Sequence, residues 1–173
     1  MTTIGTLQRV SAASLSKILL GAQDAVAAGD PTIAVIDVRD DDYIGGHIKG
    51  SQNVPSRSLD AMLPTLVRQL QDKETVVFHC ALSQQRGPSA ALRYLRERER
   101  LLASRKAREE DRAVPAGEEE EGKSAAAAEE TGPKEQKVLV LDRGFVGWQE
   151  LYGTDERLTE GYRKELWEDG YWG

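Results

Sequence analysis

The chain has 173 residues, of which 39% are hydrophobic and 30% are charged, and its formal net charge at pH 7 is −6. This length is that of one ordinary domain, and a negative charge balance lacks the basic surface that binds nucleic acid. No apolar run approaches the roughly 20 residues that cross a bilayer, and the first ten residues contain no export signal. We therefore expect one domain over residues 1–173, with neither a nucleic-acid nor a membrane partner.

The sequence contains one cysteine, Cys80, and two histidines, His47 and His79. A single cysteine excludes an internal disulfide and a cysteine-rich zinc site, and two histidines supply a metal site poorly. We therefore expect no bound metal or cofactor, and a reducing compartment, the cytoplasm or the nucleus. Any redox role of Cys80 requires an external thiol.

Extended and helical patterns alternate in the first half of the chain. A short strand is expected near 7–10, and apolar residues at helical spacing predict a helix over 11–28. The β-branched run Ile33–Val38 is typical of a strand covered on both faces in a parallel sheet. After the polar segment 39–50 and an extended piece at 52–55, a helix is expected over 58–70, with Ser58 as its N-cap. Its inward face is predicted to contain Met62, Leu63, Leu66, Val67 and Leu70.

The second half continues the alternation. Thr75–His79 is the second clear strand, and Gly87 and Pro88 open a helix, with Pro88 suited to the first helical position. A last strand is expected over 138–141, before the glycine-rich segment 144–148 and a polar helical tail. Strands that alternate with helices predict an α/β domain with a mainly parallel central sheet flanked by helices.

Residues 97–137 differ in composition from the rest of the chain. They are rich in Arg, Glu and Ala and contain few large apolar side chains, so they cannot bury enough surface to offset the entropy of ordering. We interpret them as a charged insertion within the domain, disordered or partly helical. A solvated loop is favoured over a regulatory or docking arm, because added loop length costs little free energy.

The segment HCALSQQRGP joins the second clear strand to the helix that follows it. A loop between a strand that ends at Cys80 and a helix that starts near Arg86 can wrap backbone N–H groups around an anion. Arg86 adds a planar fork for two oxygens, and the positive field favours Cys80 as a thiolate nucleophile. A buried structural cysteine would not account for Arg86 at this spacing. We therefore predict that Cys80 and Arg86 are catalytic. The predicted oxyanion-binding loop consists of Ala81, Leu82, Ser83, Gln84, Gln85 and Arg86.

Three segments carry a resemblance to a known family. HCALSQQRGP resembles the His-Cys-x5-Arg motif of the M-phase inducer phosphatases and the eukaryotic arsenate reductases, which are built on the rhodanese fold. VIDVR with YIGGHIKGSQNV, and LDRGFVGW, resemble two further parts of that fold. The resemblance spans about residues 33–148 outside the insertion. It implies a rhodanese-like fold, attack by Cys80, and an oxyanion held by Arg86 and the loop amides.

The resemblance also bears on proton transfer. Ser83 matches a serine of the phosphatase motif, which implies a hydrogen bond to the thiolate or the leaving sulfur. Gln85 stands where the phosphatases carry a glutamate that is a candidate proton donor, and a glutamine cannot be a general acid. The proton donor is therefore unassigned, although direct use of a monoprotonated substrate would avoid the need for one.

Several residues near the loop are expected to support it. Asp37 ends a buried strand, and we expect it to brace the catalytic loop or to pair with Arg39, because buried carboxylates need partners. The side chain of His79 points to the opposite face from Cys80, so we expect it to anchor the loop from behind. Gly87 lets the chain turn into the helix.

Other polar and aromatic residues receive structural interpretations. Asp40, Asp41 and Asp42 are interpreted as solvated turn residues, and His47 as a hydrogen-bonded organiser of its turn. Phe145 and Trp148 are expected in the core or the wall of a pocket. Three aromatic residues near the C-terminus have no assigned role: Trp167, Tyr171 and Trp172.

Three functions are compatible with these patterns. The first is a cysteine-dependent oxyanion enzyme, a protein tyrosine or dual-specificity phosphatase, an arsenate reductase, or both, acting on a phosphorylated protein or a small oxyanion. With no second cysteine, arsenate reduction would need glutathione and a glutaredoxin partner as external reductants. The second is a rhodanese-type thiosulfate sulfurtransferase with a Cys80 persulfide, although the resemblance gives such enzymes a shorter loop. The third is a non-catalytic rhodanese-fold binding module.

Overall fold

The computed structural model describes residues 6–24, 32–113 and 136–167. A five-stranded parallel sheet forms its centre, in the order β1, β6, β5, β2, β4. These strands are Gln8–Val10 (β1), Ile33–Asp37 (β2), Gln52–Asn53 (β4), Thr75–His79 (β5) and Lys137–Leu141 (β6). Two further strands, His47–Ile48 (β3) and Thr159–Glu160 (β7), pair antiparallel in a separate small sheet.

Helices cover both faces of the central sheet. The described ranges contain four α-helices, Ala12–Asp24 (α1), Leu59–Gln69 (α2), Arg86–Ala113 (α3) and Gly144–Tyr152 (α4), and short 3-10 turns at Ser56–Ser58 and Lys164–Leu166. Along β5, Val76 and Phe78 pack with residues of α2 and α3, whereas Val77 packs with residues of α1 and α4. This alternation divides the core into two layers, and it confirms the predicted α/β fold.

The predicted details of α2 and α3 need correction. Ser58 is at the N-cap position of α2, but its side chain makes no capping hydrogen bond. Met62 is 36% exposed, because the buried stripe of the helix runs through its neighbours and leaves Met62 at the edge. That stripe consists of Leu59, Leu63, Leu66 and Val67. Pro88 is the third residue of α3, still within the first turn, where backbone N–H groups lack helical partners.

Strands β2 and β5 lie side by side, and this pairing brings together the two segments that follow them. Their register runs from Ile33 opposite Thr75 to Asp37 opposite His79. The N–H of Val38 donates to the carbonyl of His79 at 2.8 Å. Because the strands are parallel, the polar segments that follow them emerge at the same edge of the sheet.

The described residues include only the two ends of the predicted insertion 97–137. Helix α3 continues through 97–113, and β6 begins at Lys137, while 114–135 lie outside the described residues. Tyr171 and Trp172 also lie outside them. Trp167 is buried in the core, and its Nε1–H donates to the carbonyl of Gly45 at 3.0 Å. None of the helices in the described ranges is long and apolar enough to cross a membrane.

Candidate active site

Cys80 follows β5 directly, and Arg86 is the first residue of α3. The cysteine is 3% exposed, and the backbone N–H of Ser83 lies 3.2 Å from its Sγ. A hydrogen bond from an amide stabilises a thiolate more than a thiol. The loop therefore folds back over the sulfur on its way from β5 to the N-terminus of α3.

Helix α4 clamps the carbonyl groups of the loop. The N–H of Phe145 donates to the carbonyl of Cys80 at 3.0 Å, and the N–H of Val146 donates to that of Ala81 at 2.9 Å. These two oxygens are thereby engaged away from any anion bound in the loop. The clamp needs Gly144, whose φ is +57° and where a Cβ would lie 2.5 Å from both oxygens. The segment LDRGFVGW thus supports the loop directly.

Ser83 has a strained backbone and a buried side chain. Its φ is +56°, in the left-handed region. Its Oγ has no hydrogen-bond partner among the described residues, so the expected bond from this hydroxyl to the sulfur is not formed here, and the backbone N–H of Ser83 makes that contact instead. Nη1 of Arg9 in β1 donates to the carbonyl of Ser83 at 3.1 Å. Sequence reasoning missed Arg9, because 74 residues separate it from Ser83 and no local motif marks it.

His79 lies behind the loop and is completely buried. Its Nδ1 is 3.1 Å from the carbonyl oxygen of Cys80, and because a carbonyl only accepts, Nδ1 must carry the hydrogen. Burial lowers the pKa of His79 below its ordinary value, so the ring is neutral at pH 7. Its position matches the predicted anchor, although its contribution to catalysis stays a prediction.

Asp37 pairs with Arg39, and both side chains are fully buried. Nη2 and Nε of Arg39 donate to Asp37 Oδ2 at 2.7 and 2.9 Å. The same Nη2 donates to the carbonyl of Gly46 at 2.8 Å, and the guanidinium lies 4.4 Å from the ring centroid of Phe145. Of the two roles that the sequence left open, the contacts favour pairing. The pair fixes the segment 40–46 that follows β2.

The interpretation of Asp40, Asp41 and Asp42 as solvated turn residues is wrong for two of them. Nη1 and Nη2 of Arg86 donate to Oδ1 and Oδ2 of Asp42 at 2.8 and 2.6 Å. A further contact from Nη1 reaches Asp40 Oδ2 at 3.3 Å. Only Asp41 is a surface residue, 86% exposed and paired with Arg57. The adjacency of β2 and β5 explains the difference, because it places the acidic turn against Arg86.

This cluster is strongly polarised. The hydrogen bond from Arg86 is the largest influence on Asp42 and holds its pKa at about 2, despite partial burial. For Asp40, desolvation acts to raise the pKa, but hydrogen bonds from Ser56, Arg57 and Arg86 keep it below the ordinary value. The bond to Asp42 in turn raises the pKa of Arg86 above its ordinary value. Asp42 is therefore ionised at pH 7 and does not hold a proton for donation in this state.

The other predicted residues surround this centre. Leu82, Gln84 and Gln85 are exposed on the outer side of the loop, whereas Ala81 is buried. Gly87 permits a close approach of α3 to β5, because a Cβ there would lie 3.3 Å from Cα of His79. His47, interpreted as the organiser of a turn, lies instead on the short strand β3, with Nε2 at 3.3 Å from Glu160 Oε1. In the described part of the chain, no cluster of three or more His, Cys, Asp or Glu residues could hold a metal ion.

The fold and the loop define a class of protein. A parallel sheet with helices on both faces and a cysteine loop that runs from a strand end into a helix is the arrangement of a cysteine-dependent enzyme of the rhodanese fold. The rhodanese-like domain model matches residues 22–151. The chain belongs to the rhodanese-like domain family, as its motifs predicted.

Similar proteins narrow the position of the chain within that family. It is 39% identical over 141 residues to arsenate reductase 2.1 of rice (Oryza sativa subsp. japonica), a match that covers 81% of this chain and 68% of the rice protein. It is 38% identical over 123 residues to the dual specificity phosphatase Cdc25 of Arabidopsis thaliana, covering 69% of this chain and 63% of that protein.

A solved structure supports the same placement. It is that of a yeast protein tyrosine phosphatase of the rhodanese family, which is 29% identical to this chain. The two superpose with a TM-score of 0.63 over 97% of this chain and 100% of the yeast protein. The family inferred from the motifs is therefore confirmed by both sequence and structure.

Proposed function

We propose that this protein is a phosphatase of the tyrosine or dual-specificity type, an arsenate reductase, or both, in which the Cys80 thiolate attacks the central atom of an oxyanion. Arg86 and the loop amides bind the oxygens of that anion. The observation that carries the proposal is the N–H of Ser83 directed at Cys80 Sγ, at 3.2 Å, within a loop that Arg86 closes.

For phosphate ester hydrolysis, the chemistry has two steps. The thiolate of Cys80 attacks phosphorus and forms a sulfur–phosphorus bond, while the bond to the ester oxygen breaks and that oxygen leaves with a proton. Water then attacks the thiophosphate, releases phosphate and regenerates the thiolate. Arg86 and the amides stabilise the charge on the oxygens in both transition states. A monoprotonated substrate would supply the first proton itself, which Gln85 and ionised Asp42 cannot do.

For arsenate, the same attack would displace water and form a sulfur–arsenic(V) adduct. Reduction to arsenic(III) requires two electrons. Cys80 and one external thiol, such as glutathione, supply them and become a mixed disulfide, which a glutaredoxin then reduces. The sequence contains no second cysteine to replace the external thiol. This requirement favours a reducing compartment, the cytoplasm or the nucleus.

A sulfurtransferase remains the second candidate. The resemblance gives those enzymes a loop one residue shorter, and the five residues between Cys80 and Arg86 suit a larger tetrahedral anion. A non-catalytic binding module would not require an amide directed at the sulfur of Cys80. The loop length therefore favours the oxyanion enzyme over the sulfurtransferase, and the amide directed at the sulfur favours it over a binding module.

Three assays on the purified chain test the proposal: hydrolysis of an aryl phosphate, reduction of arsenate with glutathione and glutaredoxin, and sulfur transfer from thiosulfate to cyanide. We expect activity in the first or second assay, its loss in Cys80→Ser, and no change in Ser58→Ala, an exposed control that makes no capping bond. Dominant sulfur transfer, or full activity in Cys80→Ser, would overturn the proposal.

A further inference from the structure

Asp42 and a bound oxyanion would share one guanidinium. Asp42 and Asp40 together accept three hydrogen bonds from Nη1 and Nη2 of Arg86, and none of these three comes from Nε. A guanidinium has five N–H groups. The edge formed by Nε and Nη2 can therefore bind two oxygens of a ligand while Asp42 keeps its place on the other side.

The charge around Arg86 is unusual for an anion site. Two carboxylates contact the one guanidinium, and only 19% of the Asp42 side chain is exposed. An anion that binds to Arg86 therefore lies next to a carboxylate that has already neutralised much of its attraction. A low pKa keeps Asp42 ionised throughout the neutral range, so this negative charge is always present.

The acidic turn is held firmly, which prevents Asp42 from moving aside at low cost. Oδ1 of Asp42 accepts a hydrogen bond from the N–H of Asp40 at 3.0 Å, and its carbonyl accepts one from Ile44 at 2.9 Å. The buried guanidinium of Arg39 holds the end of the turn through the carbonyl of Gly46. The carboxylate of Asp42 is thus a fixed part of the site.

We propose that Asp42 is a specificity-determining residue that makes the site prefer tetrahedral anions that carry a proton, such as phosphate and arsenate, over fully ionised sulfate. The inference deepens the proposed function and rests on it for the identity of Arg86 as the anion-binding group. It concerns which anions the site admits, and it assigns no step of the reaction to Asp42.

The physical reason lies in the charge of the anion. The ionised carboxylate of Asp42 repels a dianion more strongly than a monoanion at the same distance. Phosphate and arsenate keep a second proton at part of the neutral range, so they can bind Arg86 as monoanions. Sulfate has no proton at this pH and is always a dianion, so it meets the stronger repulsion from Asp42. The carboxylate therefore excludes sulfate more strongly than it weakens the binding of phosphate.

The test is a comparison of anion affinities in a Cys80→Ser background, where no chemistry follows binding. Calorimetry at pH 7 and constant ionic strength measures Kd for inorganic phosphate, arsenate and sulfate. Asp42→Asn removes the charge but keeps an oxygen that can accept the N–H of Asp40. Asp41→Asn is the matched control, because Asp41 belongs to the same turn but faces solvent and Arg57.

We expect the Cys80→Ser protein to bind phosphate and arsenate more tightly than sulfate. Asp42→Asn should reduce this preference by about tenfold, mainly by tightening the binding of sulfate, and Asp41→Asn should leave it unchanged. An unchanged preference in Asp42→Asn, weaker binding of all three anions in that variant, or no binding in any variant would each overturn the inference.

Failure of the proposed function is distinguishable from failure of the inference. If the unmodified enzyme is inactive on aryl phosphate and arsenate but Asp42→Asn still loses the preference, the proposed function fails and the anion selectivity stands. If the enzyme is active and the preference is unchanged, only the inference fails. Thermal unfolding of each variant shows whether a change in affinity follows loss of the fold.

Discussion

Two loops meet at one edge of the sheet, and their chemistry is opposite. The Cys80 loop follows β5 and presents the N–H of Ser83, a helix N-terminus and Arg86, while the acidic turn of Asp40, Asp41 and Asp42 follows β2 and presents carboxylates. The first has the features of an anion site, and the second repels anions. Because the two loops meet at Arg86, the affinity and the selectivity of the site for anions depend on both loops.

The contact between the loops gives the largest expected effect. Arg86→Lys keeps a positive charge but loses the planar fork that serves Asp42 and the oxyanion together. We expect kcat/KM to fall by about 100- to 1,000-fold. Steady-state kinetics with an aryl phosphate or arsenate measures the change. Arg57→Lys, which alters only the surface partner of Asp41, should change kcat/KM by less than about twofold.

The backbone of the Cys80 loop gives the next effect. In Gly144→Ala the new Cβ would lie 2.5 Å from the carbonyl oxygens of Cys80 and Ala81, and φ is +57°. We expect a loss of kcat/KM of about 100-fold, since a displaced nucleophile loses its alignment. Gly50→Ala is the control, because Gly50 has a φ of +81° with open space around it.

The control separates strain from steric displacement. Gly50→Ala should lower the free energy of unfolding by about 1 kcal/mol through its backbone conformation alone, with full activity. If Gly144→Ala also kept full activity, the hydrogen bonds from α4 to the Cys80 loop would not be needed to position the nucleophile.

His79, the last residue of β5, gives a smaller effect, on the free energy of unfolding. Its buried ring is hydrogen-bonded to the carbonyl of Cys80, and its Nε2 lies 3.8 Å from Asp37 Oδ2. As pH falls through about 6.5, the unfolded chain binds a proton at His79, whereas the folded protein does so only at lower pH. Stability is therefore lost as pH falls below about 6.5, by at most about 1.4 kcal/mol per pH unit.

Chemical denaturation at a series of pH values measures this slope. His79→Asn should flatten the dependence between about pH 6.5 and pH 5. His47→Asn is the control, since His47 lies on β3 and its side chain is partly exposed beside Glu160. If the dependence of unfolding free energy on pH vanished in His47→Asn and persisted in His79→Asn, the titrating group would not be His79.

Local patterns placed the Cys80 loop between a strand and a helix, where the structure has it, and long-range contacts account for what they missed. A strand end, a cysteine and a helix start are adjacent in the sequence, so their spacing specifies the geometry of Cys80 and Arg86. Asp42 lies 44 residues from Arg86, and Arg9 lies 74 residues from Ser83. Such partners are fixed by strand order, which a single sequence leaves open. The turn composition around Asp42 therefore indicated only solvation.

Burial produced the other differences. The apolar spacing of α2 placed Met62 inward, but packing selects a narrower stripe and leaves that side chain exposed. Conversely, Trp167 had no assigned role, and it is buried with a hydrogen bond to Gly45, 122 residues away. Periodicity identifies the face of a helix, whereas the limits of that face depend on which element packs against it.

The most direct test of the account is to trap the covalent intermediate. Acid quenching of the enzyme during turnover of an aryl phosphate, followed by peptide mass spectrometry, locates the transferred group. We expect one phosphoryl group on the peptide that contains Cys80, absent in Cys80→Ser and retained in Ser58→Ala. Turnover with the phosphoryl group on another residue, or with an active Cys80→Ser enzyme, would contradict the assignment of Cys80 as the nucleophile.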